Sequence, residues 1–194
     1  MSTLGQRFGD ALQLAHQLHA GQTRKASEVP YISHSLAVAS LVLEYGGDED
    51  TAIAALLHDA LEDCGGARTE AEVRRRFGSR VADIVLGCSD TLEHPKPPWR
   101  PRKEQYLEHL TRAEPEVLLV SAADKLHNLT SLLREERRLG EQLWERFRAG
   151  RDGTLWYYGR LIEIFRNSSL PGDLLEALED RFRALAQRLQ HQPY

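Results

Sequence analysis

Two adjacent metal-binding side chains, His58 and Asp59, stand in the middle of the apolar stretch AIAALLHDALEDC, and two more acids, Glu62 and Asp63, follow one turn later. In a continuous helix His58 and Glu62 share one face, and Asp59 and Asp63 share another, because residues four apart are neighbours. A carboxylate buried in such a helix costs several kcal/mol unless it is paired or bound to a metal. The stretch therefore predicts acids that need a partner inside the protein.

The same combination of polar and apolar residues occurs at two other places. His34 lies within PYISHSLAVAS, and Asp124 follows seven mostly apolar residues in VLLVSAADKLHN. Taken singly, a buried His is usually hydrogen-bonded packing, and a core Asp usually serves a salt bridge or a cap. Taken together, His34, His58, Asp59 and Asp124 can share one metal ion that neutralises all of them. Two imidazoles and two carboxylates suit Mn²⁺, Fe²⁺ or Zn²⁺ with positions left open for water and substrate, whereas structural zinc sites more often use thiolates.

Helical periodicity predicts the elements that must position these residues. It covers residues 4–20, 31–47 and a third helix that carries the stretch 52–64, with Asp48 or Asp50 as its N-cap. It continues at 69–77, where Thr69 and Glu72 form a capping box, and then at 80–88, 115–136, 154–166 and 173–190. The stretch EHPKPPWRP at 93–101 has four prolines and predicts a loop. The fold class is therefore all-α, a bundle of roughly nine to ten helices.

Composition limits the classes of function. The chain has 194 residues, 41% of them hydrophobic and 28% charged, with a net charge of −4, which indicates a globular protein and disfavours a general nucleic-acid binder. Any anionic ligand must therefore be held by a local basic cluster. Cys64 and Cys88 lack CxxC spacing and are expected to be reduced in a cytoplasmic protein. We also expect no signal peptide and no membrane span.

Four sequence blocks resemble the hydrolase domain of RelA/SpoT-type alarmone enzymes, which belong to the HD-domain metal-dependent phosphohydrolases. In order along the chain these blocks are HAGQTRKASEVPYISHSLAVA, AALLHDALED, SDTLEHPKPPWRPRKEQY and VLLVSAADKLHNL. They span about residues 19–130 and occur in the order usual for the family. We therefore expect a single HD-type domain over 1–194, with this motif-bearing core and C-terminal helices at 141–190.

The resemblance implies a role for individual residues. One Mn²⁺ would be held by His34, His58, Asp59 and Asp124, and the attacking water would be served by Glu62 and Asp63. The nucleotide would be surrounded by Arg24, Lys25, Lys103 and Asn128. This family also places an aromatic side chain from a late helix near the substrate, for which Tyr157 is the candidate, with a register open by one residue.

The function implied by the resemblance is Mn²⁺-dependent hydrolysis of (p)ppGpp at its 3′ position, giving GDP or GTP and pyrophosphate. The expected partner is a small nucleotide, with no nucleic acid and no membrane. Two alternatives stay open. The same chemistry can act on another phosphate ester, such as a nucleoside monophosphate or the 2′-phosphate of NADPH, or the chain can be a non-catalytic nucleotide sensor. The intact Glu62–Asp63 pair favours catalysis, because a protein that only binds has no need of it.

Overall fold

The structure is a computed structural model that describes residues 3–25, 27–93 and 95–190, and over these residues the predicted all-α class is confirmed. The described residues form ten α-helices and one 3-10 helix, and an isolated antiparallel bridge joins Thr23 to Pro30. The helices are α1 (Gln6–Leu18), α2 (Ile32–Glu44), α3 (Glu49–Leu57), α4 (Ala60–Asp63), α5 (Ala67–Phe77), α6 (Ser79–Cys88), α7 (Trp99–Leu110), α8 (Pro115–Leu139), the 3-10 helix (Gly140–Arg146), α9 (Gly150–Arg166) and α10 (Gly172–Gln190).

Two helices form the centre of the molecule. Every residue of α3 from Thr51 to Leu57 is buried, so the predicted apolar face of this helix extends around its whole circumference. The 25-residue helix α8 packs against α10, α2 and α6, and its first residue is Pro115, as predicted. Asp124 lies in the buried middle of α8.

The third helix differs from its prediction in one important respect. It is not continuous through residues 52–64, because α3 ends at Leu57 and the single turn α4 starts at Ala60. Asp59, between them, has φ −94° and ψ −4°, outside regular helical geometry. The predicted N-cap Asp48 is confirmed, since its Oδ1 accepts a hydrogen bond of 2.9 Å from the backbone N–H of Thr51.

The predicted capping box at 69–77 is wrong. The helix α5 begins at Ala67, two residues before Thr69, and its N-cap position is occupied by Gly66. Thr69 is therefore already helical, and its hydroxyl donates to the carbonyl of Cys64 at 2.5 Å instead of capping. Gly66 has φ +55°, a conformation that glycine adopts without steric cost, so a glycine could replace the side-chain cap.

The proline-rich segment is shorter as a loop than predicted. The helix α7 begins at Trp99 and includes the last of the four prolines, Pro101, in its first turn, where a missing backbone N–H is tolerated. No sequence pattern had assigned α7 or the 3-10 helix. No helix in the described part of the chain is both long enough and apolar enough to cross a membrane.

The contact between α6 and α8 has no spare room at Gly87. A Cβ at this position would lie 2.7 Å from Cγ2 of Val117 on α8. We expect Gly87→Ala to lower the free energy of unfolding by about 1–3 kcal/mol, because the added methyl overpacks a close helix contact. Urea denaturation of the purified variant measures the change.

The matched control is Gly159→Ala in α9, where the nearest heavy atom to the new Cβ is Cζ of Phe182 at 3.8 Å. That variant should be neutral or more stable by about 0.5–1 kcal/mol, because alanine loses less backbone entropy than glycine in a helix. If both variants unfold at the same urea concentration, the close contact at Gly87 does not limit stability.

Candidate active site

Four side chains from three segments of the chain converge at one buried point. His34 comes from α2, His58 and Asp59 from the break between α3 and α4, and Asp124 from α8. His34 Nε2 lies 3.0 Å from Asp124 Oδ1 and 3.7 Å from Asp59 Oδ2. His58 Nε2 lies 3.0 Å from Asp59 Oδ2 and 3.7 Å from Asp124 Oδ1. The four predicted metal ligands are therefore neighbours in space.

Two consecutive residues reach the same point at the break between α3 and α4. Successive side chains of a regular α-helix project about 100° apart. Here α3 ends at Leu57, Asp59 has φ −94° and ψ −4°, and His58 Nε2 lies 3.0 Å from Asp59 Oδ2. The ligand atoms of His34, His58 and Asp59 all lie within 4.8 Å of one another.

The hydrogen bonds of His58 leave one ring nitrogen for a cation. Its Nδ1 lies 2.8 Å from the carbonyl oxygen of Ala55, which can only accept, so Nδ1 carries a proton. Its Nε2 is buried and has no aligned hydrogen-bond partner among the described residues, although two carboxylates lie within 3.7 Å. A shared cation would satisfy this nitrogen and the carboxylates together, so the donor set fits a divalent metal ion.

Electrostatics favour positive charge at this centre. Burial opposes the imidazolium form of His58, yet the carboxylates of Asp59 and Asp124 outweigh it and raise the pKa of His58 to about 10. Burial likewise opposes ionisation of Asp124, but Lys125 and the two imidazoles hold the pKa of this carboxyl below its ordinary value. The pKa of Asp59 is also lowered, because the charge of His58 outweighs burial. Both acids are therefore carboxylates at neutral pH.

Further contacts hold the acids in place. The hydroxyl of Tyr31 donates to Asp59, and the ammonium of Lys125 donates to Asp124. Asn128, predicted to bind substrate, donates to Asp124 Oδ1 at 2.5 Å. Sequence reasoning had not assigned Tyr31 and Lys125. Their only signals were adjacency in the blocks, since Lys125 follows Asp124 and Tyr31 precedes His34 by one turn.

The two predicted catalytic acids differ in placement. Glu62 lines the cavity beside the metal centre, whereas Asp63 is not among its lining residues and lies 3.5 Å from the amide of Gln22. The ammonium of Lys96 bridges them, at 2.6 Å from Glu62 Oε1 and 3.2 Å from Asp63 Oδ1. Burial and the charge of Asp90 raise the pKa of Glu62 above its ordinary value, despite Lys96. Of the two acids, Glu62 is therefore the one placed to exchange a proton with a ligand.

A cavity of about 550 Å³ opens above the centre, and a smaller one of about 170 Å³ connects it to the ligands, because six residues line both. The larger cavity is walled by cationic and aromatic side chains. All five predicted substrate residues line it, namely Arg24, Lys25, Lys103, Asn128 and Tyr157. Further lining residues that sequence reasoning had not assigned are Lys96, Lys125, Arg134, Phe147, Arg148 and Tyr158.

The aromatic wall contains Tyr157 and the residue next to it. Both Tyr157 and Tyr158 are buried and line the cavity, so Tyr157 stays the predicted substrate aromatic and Tyr158 shares its wall. Lys103 Nζ lies 4.9 Å from the ring centre of Tyr157, and Lys25 Nζ lies 4.1 Å from that of Phe147. Two predicted phosphate-binding cations therefore rest on aromatic faces, which allows cation–π attraction.

Asp90 organises the cations at the cavity floor and was missed as a site residue. Its side chain is 4% exposed, and its Oδ2 accepts from Arg102 and, at 2.5 Å, from Lys103. The block SDTLEHPKPPWRPRK contains an indication of this role, because Ser-Asp precedes an Arg-Lys pair. The ion pairs between them could not be predicted, because a proline-rich loop separates the two. Asp90 thus fixes two long side chains that would otherwise be free to rotate.

The chain resembles known proteins in sequence. Residues 11–155 match the family described as HD domain. A guanosine-3′,5′-bis(diphosphate) 3′-pyrophosphohydrolase from Aquifex aeolicus is 39% identical over 130 residues, which is 66% of this chain but 18% of that protein. The enzyme MESH1 of Xenopus tropicalis, with the same activity in its name, is 40% identical over 128 residues, which is 64% of this chain and 69% of that protein. The chain thus spans about a fifth of the long bacterial relatives and over two thirds of the short one.

Two solved structures are similar over most of the chain. One, described as a metazoan ortholog of SpoT that hydrolyses ppGpp, has a TM-score of 0.76 at 26% identity and covers 97% of this chain and 98% of its own. The other, lmo0812 from Listeria monocytogenes, has a TM-score of 0.66 at 29% identity and covers 81% of this chain and 99% of its own. With three quarters of its length matched and its His and Asp residues gathered at one centre, the chain belongs to the HD domain family.

Proposed function

We propose that the protein is a metal-dependent (p)ppGpp 3′-pyrophosphohydrolase that releases pyrophosphate and leaves GDP or GTP. The observation that carries this proposal is the buried His/Asp centre beneath a cavity walled by cations and aromatic rings, with Glu62 at the junction. The names of the relatives from Aquifex aeolicus and Xenopus tropicalis support the same substrate. A small nucleotide substrate also agrees with the predicted cytoplasmic location.

In the proposed centre His34, His58, Asp59 and Asp124 would hold one Mn²⁺, and Fe²⁺ or Zn²⁺ would suit the same mixed donors. A divalent ion bound there would supply a Lewis acid that lowers the pKa of a coordinated water towards neutrality. The protein's own contribution is to keep the two acids ionised through Lys125, Tyr31 and the imidazoles.

Glu62 would act as general base and acid. The reaction forms a bond between a water oxygen and the phosphorus on the 3′-oxygen, and it breaks the bond from that phosphorus to the 3′-oxygen. Glu62 takes the water's proton and returns one to the leaving 3′-oxygen. The raised pKa of Glu62 favours the second proton transfer, because a weaker acid stays protonated until the 3′-oxygen departs and accepts the proton. Asp63 would contribute indirectly, because it helps to hold the Lys96 ammonium that also contacts Glu62.

The cations divide into two groups that suit a ligand with phosphates on both sides of a ribose. Arg24, Lys103 and Lys125 line both cavities and so border the metal centre. The second group, Lys25, Arg134 and Arg148, lines the larger cavity alone, as do Lys96 and Arg102, which pair with Glu62 and Asp90 and are not assigned to either group. We propose that the first group holds the 3′-diphosphate and the second the 5′-phosphates, with Tyr157 and Tyr158 beside the base. Asn128 orients Arg24, whose guanidinium donates to it at 2.5 Å.

We expect the purified protein to bind about one divalent metal ion per chain and Asp124→Ala to lose it, because the substitution removes one of two acids that draw a cation into the centre. Elemental analysis after removal of loosely bound ions measures the ratio. Glu108→Ala is the control, since that side chain is 71% exposed on α7. Undiminished metal in Asp124→Ala, or none in the wild type, would contradict the site.

We expect Glu62→Gln to keep the metal ion and to lose turnover by a factor of roughly 10²–10⁴, which is the usual contribution of a general acid–base group. Glutamine keeps the size of the side chain but cannot take a proton. Steady-state kinetics and metal content should be measured on the same preparation, with Glu108→Gln as control. A rate above about a tenth of the wild type would remove Glu62 from this role.

We expect ppGpp to be converted to GDP and pyrophosphate only when a divalent metal such as Mn²⁺ is supplied. Chromatographic separation of the products identifies the bond that is cut. If ppGpp stays intact while a nucleoside monophosphate or NADPH releases orthophosphate, the substrate is another phosphate ester. If no compound turns over but ppGpp binds and raises the melting temperature, the protein is a nucleotide sensor.

A further inference from the structure

The imidazole of His127 contacts the one metal-ligand side chain whose second nitrogen is not tied to the backbone. His127 Nδ1 lies 2.7 Å from His34 Nδ1, with ring centres 4.9 Å apart and planes tilted by 31°. His34 is 1% exposed, and its opposite nitrogen, Nε2, faces Asp124 and Asp59. His127 belongs to the block ADKLHN but has no role in the proposed reaction.

Only one of the two Nδ1 atoms can carry the proton between them, so the direction of this hydrogen bond sets the form of His34. If His34 Nδ1 donates, its Nε2 holds a lone pair towards Asp124 and Asp59 and can bind a cation. His127 then accepts at Nδ1 and carries its own proton on Nε2. If His127 Nδ1 donated instead, the proton of neutral His34 would sit on Nε2, where it would block the ligand position.

We propose that His127 is a positioning residue for the metal centre, which accepts a hydrogen bond from His34 Nδ1 and so holds the ring and its Nε2 lone pair in the orientation for metal binding. This proposal rests on the metal site of the proposed function. Support of this kind around a metal ligand typically changes metal affinity by about 10–100-fold.

The comparison with His58 shows why this role falls to a side chain. His58 Nδ1 donates to the carbonyl of Ala55, a backbone acceptor three residues earlier that permits one direction only. The carbonyl three residues before His34, that of Tyr31, accepts from the backbone N–H of His34 at 2.8 Å, and the Nδ1 of His34 contacts His127 on α8 instead. His127 stands three residues after Asp124 on α8. One turn of this helix therefore supplies both the proposed metal ligand Asp124 and the hydrogen-bond partner of a second proposed ligand, His34.

A pair of amide substitutions tests the position of the acceptor. In His127→Asn the amide oxygen can occupy nearly the place of Nδ1, whereas in His127→Gln the extra methylene carries the amide past it. Titration calorimetry with Mn²⁺ alone should give His127→Asn an affinity within a few-fold of the wild type. His127→Gln and His127→Leu should bind about 10–100-fold more weakly. His127 is only partly buried, so all three variants are expected to fold, which circular dichroism checks.

A second readout follows the protons directly. In the Zn²⁺-loaded protein, long-range ¹H–¹⁵N spectra should show His34 protonated on Nδ1 and His127 on Nε2. Equal Mn²⁺ affinities of His127→Asn, His127→Gln and the wild type, or a proton on His127 Nδ1 in the Zn²⁺-loaded protein, would overturn the positioning role. Failure of the wild type to bind Mn²⁺ or Zn²⁺ at all is a separate outcome, which overturns the metal site itself.

Discussion

Two carboxylates that face two imidazoles, Asp124 buried and Asp59 partly buried, are the constraint on which the rest of this structure depends. Asp59 and Asp124 would repel each other in the core unless positive charge lay between them, and the surroundings supply it from His58 and Lys125. Each of the three contributing segments is otherwise apolar, so hydrophobic burial brings the helices together and the polar centre decides their alignment. A shift of α2 along α8 would leave an uncompensated charge in the core, whereas apolar packing alone would tolerate it.

The break between α3 and α4 is the local cost of this arrangement. A continuous helix would satisfy more backbone hydrogen bonds, and the sequence of the stretch has no proline or glycine that requires an interruption. The interruption instead coincides with the site, because His58 and Asp59 lie at it with ligand atoms 3.0 Å apart and Glu62 follows in the wall of the cavity. Such departures from local preference are expected where a site and a regular helix compete for the same residues.

Sequence reasoning was most successful where a physical anomaly was visible in a short window. Polar residues inside apolar helices marked four side chains that the structure brings together, and hydrophobic periodicity together with Pro115 located α8. It was less successful where a contact joins distant segments. The ion pairs of Asp90 with Arg102 and Lys103, and of Lys96 with Glu62, cross a proline-rich loop whose course periodicity does not determine. The early start of α5 was missed because a positive-φ glycine replaced the expected threonine cap.

The cavity concentrates cations that would repel one another, and the structure limits this repulsion with internal partners. Lys125 contacts Asp124, Lys103 contacts Asp90, and Lys96 contacts Glu62. Each pair sits partly out of water, where Coulomb attraction is stronger than at the surface. A phosphate that enters must compete with these carboxylates for the cations, which lowers affinity for any single phosphate. Under the proposed function, a ligand with several phosphates engages several cations at once, so the internal pairing would favour a polyphosphate over a monoester.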